Sequence, residues 1–263
     1  MKIGTIIACL LFSIAGFSQL QTYYHPNGTK RSEGEFLNGK KHGEWRDWDS
    51  TGQLISSISY ADGLRDGPFT LWTASKATDR VLELERNLGN PSGIQKHEGH
   101  FTADKLNGEY KIWFSNDSLY EHSYYRNGSF DRFRRLYDPN GTLRIKAHYK
   151  NGAYHGTWDS YTKDGKPRKF RLYDRGKLKL STDYAYFGDG HPRLMESHIY
   201  DEKGNPIAHG NWKEFHLDGQ TKSSTNYKHG KLDGEMLGYY ANGQLKYRAQ
   251  YKKGKLISWE DFE

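Results

Sequence analysis

One valine, 7 prolines and a single cysteine stand in 263 residues, and beyond residue 18 no uncharged apolar run approaches membrane-spanning length. With only 23 Leu, 12 Ile and 12 Phe beside that valine, an ordinary thick aliphatic core is not expected. So few large apolar residues mark disorder when aromatics are scarce too. Here there are 20 Tyr, 12 Phe and 7 Trp. Rings must therefore supply the packing while their polar tips stay wet, which suits an extended, half-exposed β-structure.

The lone cysteine excludes more when its place is considered. Cys9 lies in Ile3 to Phe17, a charge-free run behind Met1 and Lys2, and Gly16-Phe17-Ser18 supplies small residues before Gln19. This reads as an export signal cleaved near Ser18, so the chain is expected in the periplasm, on the cell surface or secreted. The run is shorter than the ~20 apolar residues of a membrane span. Once Cys9 is removed, disulfides, a thiol nucleophile and cysteine metal sites are excluded. The formal charge of +7 is spread over 39 basic and 32 acidic residues without a block of five like charges. Nucleic acid is not an expected partner, whereas an anionic membrane surface stays open.

What the chain does have is a repeat. Units of 24 residues start at Gln19, Gly43, Gly67, Gly108, Arg132, Gly156, Leu180, Gly210 and Gly234, a count of nine. The sixth place holds a ring in Tyr24, Trp48, Trp72, Trp113, Tyr137, Tyr161, Phe215 and Tyr239, and the eighteenth holds one from Phe36 to Tyr251. The third place repeats Trp45, Phe69, Tyr110, Trp158 and Trp212. Each second half alternates with period two, as in Leu143, Ile145, Ala147 and Tyr149, so each unit is two strands. Asn27-Gly28, Asn140-Gly141, Asn242-Gly243 and Asp164-Gly165 supply the positive φ that tight hairpin turns need. Places three and six differ in parity, which calls for a bulge or bend between them.

Two units depart from the period. Thr73 to Ser92 is an insertion, whose Arg80 to Leu88 stretch suits a short helix or a lengthened strand equally. The unit from Leu180 to 209 is 30 residues long, and its Gly188-Asp189-Gly190-His191-Pro192 cluster reads as a longer hairpin turn. Two strands per unit at ~4.8 Å give roughly 10 Å per repeat, on the order of 90 Å for the whole sheet if it stays open.

The pattern G-x-W-x-x-W/Y, then N/D-G-x-L, then Y-x-x-G-K resembles the MORN repeat, in the variant form of exported bacterial proteins of the YwqK-type antitoxin family. Gly43-Glu44-Trp45 through Gly63 and Gly234-Glu235-Met236 through Lys255 carry it best. Arg132, Asp104 and Asp117 depart from it where the pattern has glycine. The resemblance implies tandem β-hairpins stacked into one elongated, twisted, mostly antiparallel sheet over 19–257, capped by 258–263. It also implies a non-catalytic role in holding proteins or membranes together.

Chemistry would show as a feature interrupting the repeat. The glycines keep the register and are turn residues, not a phosphate cradle. The column His42, Asp66, Asp131, His155, His209 and Asp233 offers imidazole and carboxylate ligands, but a place before a turn glycine favours Asp and His for backbone reasons alone. No enzyme, metal or cofactor is expected. Catalysis, if present, is confined to Asp79, Glu83, Glu85 or the Asp189/His191 loop. The expected partner is a protein, gripped near the first insertion by Trp45, Trp48, Trp72 and Trp113 with Lys40, Lys41 and Lys105. An anionic membrane or envelope surface is the alternative, met through basic and ring residues around Lys40, Lys41, Lys105, Lys231 and Lys255.

Overall fold

The structure, a computed structural model, describes residues 18–72 and 94–263. The expected export signal and the 73–92 insertion, with Asp79, Glu83 and Glu85, lie outside the described residues. The strands are β1 (Ser18–Tyr24), β2 (Lys30–Leu37), β3 (Lys40–Trp48), β4 (Leu54–Ala61), β5 (Leu64–Trp72), β6 (Ile94–Thr102) and β7 (Lys105–Leu106). They continue as β8 (Gly108–Phe114), β9 (Leu119–Arg126), β10 (Ser129–Tyr137), β11 (Leu143–Lys150), β12 (Ala153–Tyr161), β13 (Pro167–Asp174) and β14 (Lys177–Tyr186). Last come β15 (Pro192–Tyr200), β16 (Pro206–Ala208), β17 (Gly210–Phe215), β18 (Thr221–Lys228), β19 (Lys231–Tyr239), β20 (Leu245–Lys252) and β21 (Lys255–Asp261).

Among the described residues the 21 strands form one antiparallel sheet, and apart from β7/β8 and β16/β17 each pairs with its neighbours in chain order. β7 and β8 share one side of β6, and β16 and β17 share one side of β15. Among the described residues the sheet does not close, and β1 and β21 each pair on one side, with β2 and β20. The expected tandem-hairpin, all-β architecture is the observed one.

Two kinds of turn alternate, which gives the sheet two different rims. On one rim, Asn38–Gly39, Asp62–Gly63, Asn127–Gly128 and Asn151–Gly152 each put two successive residues at positive φ, the two-residue turn that matches strand twist. The opposite rim differs from the sequence expectation. At Asn27–Gly28 only Gly28 has positive φ, at 84°; Gly28 N–H donates to the His25 carbonyl at 2.9 Å and His25 N–H to the Thr29 carbonyl at 2.8 Å. This is a three-residue loop, a type I turn followed by a glycine bulge. Its asparagine acts through the side chain, since Asn27 Oδ1 accepts the Thr29 N–H at 3.1 Å. Asn140, Asn242 and Asp164 stand in the same place with Gly141, Gly243 and Gly165 as the positive-φ residues. Pairing does shift beside these loops, at Asp47/Trp48, Ser160/Tyr161 and Glu214/Phe215, but the unpaired residue is Ile55, Arg168 or Lys222 on the following strand. The extra residues of the ring-bearing strand lie earlier than expected, where 43–45 face Gly34.

The cluster from Gly188 to Pro192 is not a longer turn. Gly190 N–H to Phe187 O and Phe187 N–H to His191 O repeat the three-residue pattern. The added length lies at 201–205, where a loop closed by Asp201 and Asn205 stands on the rim of two-residue turns. Asp201 holds that loop itself, its Oδ1 accepting the N–H groups of Lys203 and Asn205.

The three glycine substitutes leave the turn geometry intact: Asp104, Asp117 and Arg132 take φ of 64°, 60° and 65°. A side chain in that region costs energy that glycine does not. Asp117→Gly is therefore expected to raise stability by about 1 kcal/mol, measured as a higher urea midpoint; a lower midpoint would show that the carboxylate contributes more than the backbone loses.

Packing is uneven along the sheet. Among the described residues, eleven of the 13 buried hydrophobic ones lie between Trp45 and Tyr125, and the other two are Ala147 and Ala249. Ile58, Phe69, Leu71, Phe101, Leu106, Tyr110, Ile112 and Tyr125 form a buried cluster. It lies on one face, where a third-place ring stands opposite a sixteenth-place residue on each side, as Phe69 does between Ile58 and Gly99. Beyond it the same face carries a run of stacked rings, Tyr125, Phe130, Tyr149, Tyr154 and Tyr173, with centroids 4.5 to 5.0 Å apart.

Candidate partner-binding site

Trp48, Trp72 and Trp113 lie at the ends of β3, β5 and β8, so all three stand on the rim of three-residue loops. Trp72 and Trp113 face Lys96 from either side, each as its cross-strand partner. Lys96 Nζ lies 4.9 Å from the Trp113 centroid and 2.9 Å from Glu98 Oε1, and Trp113 Nε1 donates to Glu98 Oε2 at 3.0 Å. All four side chains are half-buried. The result is a Trp–Lys–Trp row across β5, β6 and β8 with an acceptor behind it, a surface with apolar, cationic and hydrogen-bonding character. Trp48 is separate, with Lys30 Nζ 5.0 Å over its ring.

Trp45 is placed differently. It is 3% exposed, lies over Gly34, meets Phe36 and Tyr60 edge-on, and donates from Nε1 to the Glu35 carbonyl at 3.0 Å. Its ring packs the sheet and offers no face to a partner. Lys41 covers that ring at 4.0 Å and the Tyr60 ring at 4.8 Å, and burial lowers its pKa.

Lys40, Lys41 and Lys105 follow the turns of the opposite rim. Seven residues separate Lys41 from Trp48, about 23 Å along a strand, so the three lysines and the three tryptophans form two regions and not one. On the lysine rim the repeat places an exposed lysine directly after the turn at Lys40, Lys105, Lys177, Lys231 and Lys255.

That rim is laced by backbone bonds. Gly63 N–H donates to Lys41 O, Gly128 to Leu106, Gly152 to Phe130, Gly176 to Tyr154, Gly230 to Ala208 and Gly254 to Leu232, at 2.7 to 2.9 Å. The His/Asp column belongs to the same lacing: Asp66, Asp131 and Asp233 accept the N–H of Ala103, Asn151 and Lys253 in the neighbouring turn. His155 approaches Asp174 at 3.5 Å, and His209 packs on His229. Among the described residues no three His, Cys, Asp or Glu side chains gather as a metal site. Asp189 and His191 tie their own loop and its neighbour, with Asp189 Oδ1 accepting His191 N–H and His191 Nδ1 bonding the Leu217 carbonyl at 2.9 Å.

The ionisable groups respond to these contacts. Hydrogen bonds hold the carboxyls of Asp49 and Asp201 below the usual range, through Thr51 and Asn205 first, and Arg65 does the same for Asp104. Burial pushes Tyr60, Tyr149 and Tyr173 upward. Depressed carboxyls stabilise above their unfolded pKa near 4, and that contribution is lost as pH falls through the folded values. Raised tyrosines stabilise fully below about pH 10, and lose that contribution as pH rises through their folded values. The thermal midpoint is expected to stay level between those limits and fall on both sides, as circular dichroism would record; a steady slope across neutral pH would contradict it.

Sequence reasoning found Trp72 and Trp113 but not Lys96 and Glu98 between them. The signal was the register counted back from Phe101, which the adjoining insertion obscures. It also missed Lys177, which the place after Gly176 marks as a member of the lysine row.

Solved structures align with the chain at low similarity. TcdB2-TccC3-TEV matches at 12% identity over 90% of this chain and 12% of that one, with a TM-score of 0.28. A GtfA/B complex bound to UDP and GlcNAc matches at 17% identity over 45% and 22% of the two chains, with a TM-score of 0.18. The Photorhabdus luminescens Tc holotoxin pore matches at 11% identity over 93% and 17%, also at 0.18. The chain thus spans less than a quarter of each of these proteins, and TM-scores this low fix neither fold nor function. No curated protein matches the chain. Five of its segments, 20–38, 41–62, 134–151, 208–229 and 232–253, match the MORN repeat variant.

Proposed function

We propose that the chain is a non-enzymatic, exported scaffold that holds a protein partner on the rim of three-residue loops. The Trp72–Lys96–Trp113 row supports this reading, because half-buried rings beside a cation and a carboxylate have the composition of interface anchors. The resemblance to the YwqK-type family makes an antitoxin-like role the finer version, in which the partner is a toxic protein of the same cell. Capture after mild crosslinking in the envelope fraction, followed by mass spectrometry, tests it. Trp72→Ala with Trp113→Ala is expected to weaken capture of a stoichiometric partner by at least about tenfold while circular dichroism stays unchanged. Undiminished capture sinks the reading.

The lysine row favours a second reading, attachment to an anionic envelope or membrane surface. Each lysine near such a surface contributes about 1 kcal/mol at low salt. Binding to acidic vesicles that weakens with salt, and fails after Lys40→Glu, Lys105→Glu, Lys177→Glu and Lys231→Glu together, is the expected result. Indifference to lipid charge would eliminate it.

A further inference from the structure

Each three-residue loop leaves one residue of the strand that follows it without a partner across the ladder. That residue is Tyr120 in β9, then Arg144 in β11, Arg168 in β13, Arg193 in β15, Lys222 in β18 and Lys246 in β20. The position belongs to the ring-bearing face: Tyr120 packs against the buried cluster, and Ile55, its counterpart in β4, is 6% exposed. In the first half of the sheet it is thus a place for packing. In the second half, where Ala147 and Ala249 are the buried hydrophobic residues, it holds a cation in five hairpins running.

These cations are available. Arg168, Arg193, Lys222 and Lys246 are exposed, and among the described residues Arg168, Arg193 and Lys246 make no ion pair. Lys246 Nζ lies 5.5 Å from the Tyr240 centroid, and Lys222 meets Glu214 at 3.4 Å. Arg144 is braced, with Nε donating to Tyr161 O at 3.1 Å and Nη1 to Asp138 Oδ2 at 2.8 Å. Consecutive members stand two strands apart, roughly 10 Å.

Two of the gaps between them are cavities. One, of about 260 Å³, is lined by Arg144 and Arg168 with Trp158, Ser160 and Tyr161. The other, of about 440 Å³, is lined by Lys222 and Lys246 with Glu214, Thr225 and Tyr247. Rings offer a flat surface to the C–H face of a sugar, hydroxyls and Glu214 exchange hydrogen bonds with its hydroxyl groups, and cations pair with its acid groups. The spacing selects a polymer. A hexose in an extended glycan has nearly the length of one strand spacing, ~4.8 Å, so cations two strands apart fall in step with a chain that is acidic at every second sugar. The Glu214 carboxylate within the row disfavours a polymer charged at every unit, such as an acidic peptide.

We propose that this row is a binding track for an acidic polysaccharide, an extended glycan with one carboxylate per disaccharide, laid across β11 to β20 beside the three-residue loops. The track rests on neither reading above, and it lies in the other half of the sheet from Trp72, Lys96 and Trp113.

Titration calorimetry of the purified chain with hyaluronan oligosaccharides of increasing length, which carry one carboxylate per disaccharide, tests this. Affinity is expected to rise with length until the glycan spans all five cations, at roughly ten sugars. Arg168→Ala, Arg193→Ala and Lys246→Ala together should weaken binding at least about tenfold with circular dichroism unchanged, since none of the three holds an ion pair. Removing the same charge at the far ends of the strands, by Lys150→Ala, Lys228→Ala and Lys252→Ala, should change it by less than about twofold. Neutral chitin oligosaccharides of like length and polyglutamate should each bind at least about tenfold more weakly than hyaluronan. Absence of hyaluronan binding overturns the proposal. So do equal losses in the two triple variants, equal affinity for the neutral glycan or for polyglutamate, and a loss in the first triple variant confined to binding of phosphatidylglycerol vesicles.

Discussion

Replacing Arg134 with methionine is expected to lower the stability of the sheet by about 3–5 kcal/mol, and adding Glu121→Leu to recover most of that loss. Glu121 is fully buried, and Arg134 reaches it from the next strand with two bonds, Nε to Oε1 at 3.0 Å and Nη2 to Oε2 at 2.9 Å, at 15% side-chain exposure. Burial by itself would depress the guanidinium, but the bonds and charge of Glu121 outweigh it, and its pKa is raised. Removing the cation strands a buried carboxylate on a face otherwise packed by rings. Removing both charges leaves an apolar contact of similar volume, which a pair of this kind tolerates. Urea midpoints of the two single variants and the double variant form the cycle that measures it. Equal losses in Arg134→Met and in the double variant would show that no stranded charge is involved.

Gly34→Ala is expected to cost about as much as truncating a buried tryptophan, about 3–5 kcal/mol. A methyl group on Gly34 would overlap the Cγ, Cδ2 and Cε2 atoms of Trp45, at the root of the ring where rotation gives no relief. The indole cannot move aside without losing the Nε1 bond to Glu35 O and both edge contacts, to Phe36 and Tyr60. Glycine is needed there because a ring lies on the backbone, and its φ is not in the left-handed region. Gly52 is the control: it has a φ of 88° with nothing within 4 Å of an added methyl group. Gly52→Ala should cost only the backbone strain, about 1–2 kcal/mol. Near-ultraviolet circular dichroism would report the displaced tryptophan in Gly34→Ala alone. Equal losses at the two glycines would refute the packing argument.

Several features of this molecule follow from the chain alone. A 24-residue period, glycines at two fixed places and alternation in every second half-unit leave little choice but stacked hairpins, because each constraint is local and repeated. An irregularity in the first strand of each unit was legible from two rings of opposite parity, but its place was not, since β3 carries its extra residues at 43–45 opposite Gly34 and not between Trp45 and Trp48. The turn at Asn27–Gly28 was less so, since Asn-Gly suits both a two-residue turn and the loop that the structure has. The choice rests on side-chain bonding of Asn27 to Thr29, and the dipeptide does not encode it.

The candidate site was legible as a set of rings but not as a place. Trp45, Trp48, Trp72 and Trp113 look alike in the sequence, yet one packs against Gly34, one stands under Lys30 and two flank Lys96. Lys40, Lys41 and Lys105 share a neighbourhood with them in the chain and not in space. Strand direction reverses at every turn, so residues seven apart end on opposite rims while residues 24 apart become neighbours.

The repeat, the all-β class and the places of the turns are properties of the amino-acid order, because they depend on backbone conformations chosen within a few residues. Which rings are core, where Glu121 finds Arg134 and which rim holds the lysines are properties of the assembled sheet. Those outcomes depend on cross-strand register, which exists only once every hairpin has paired with the next.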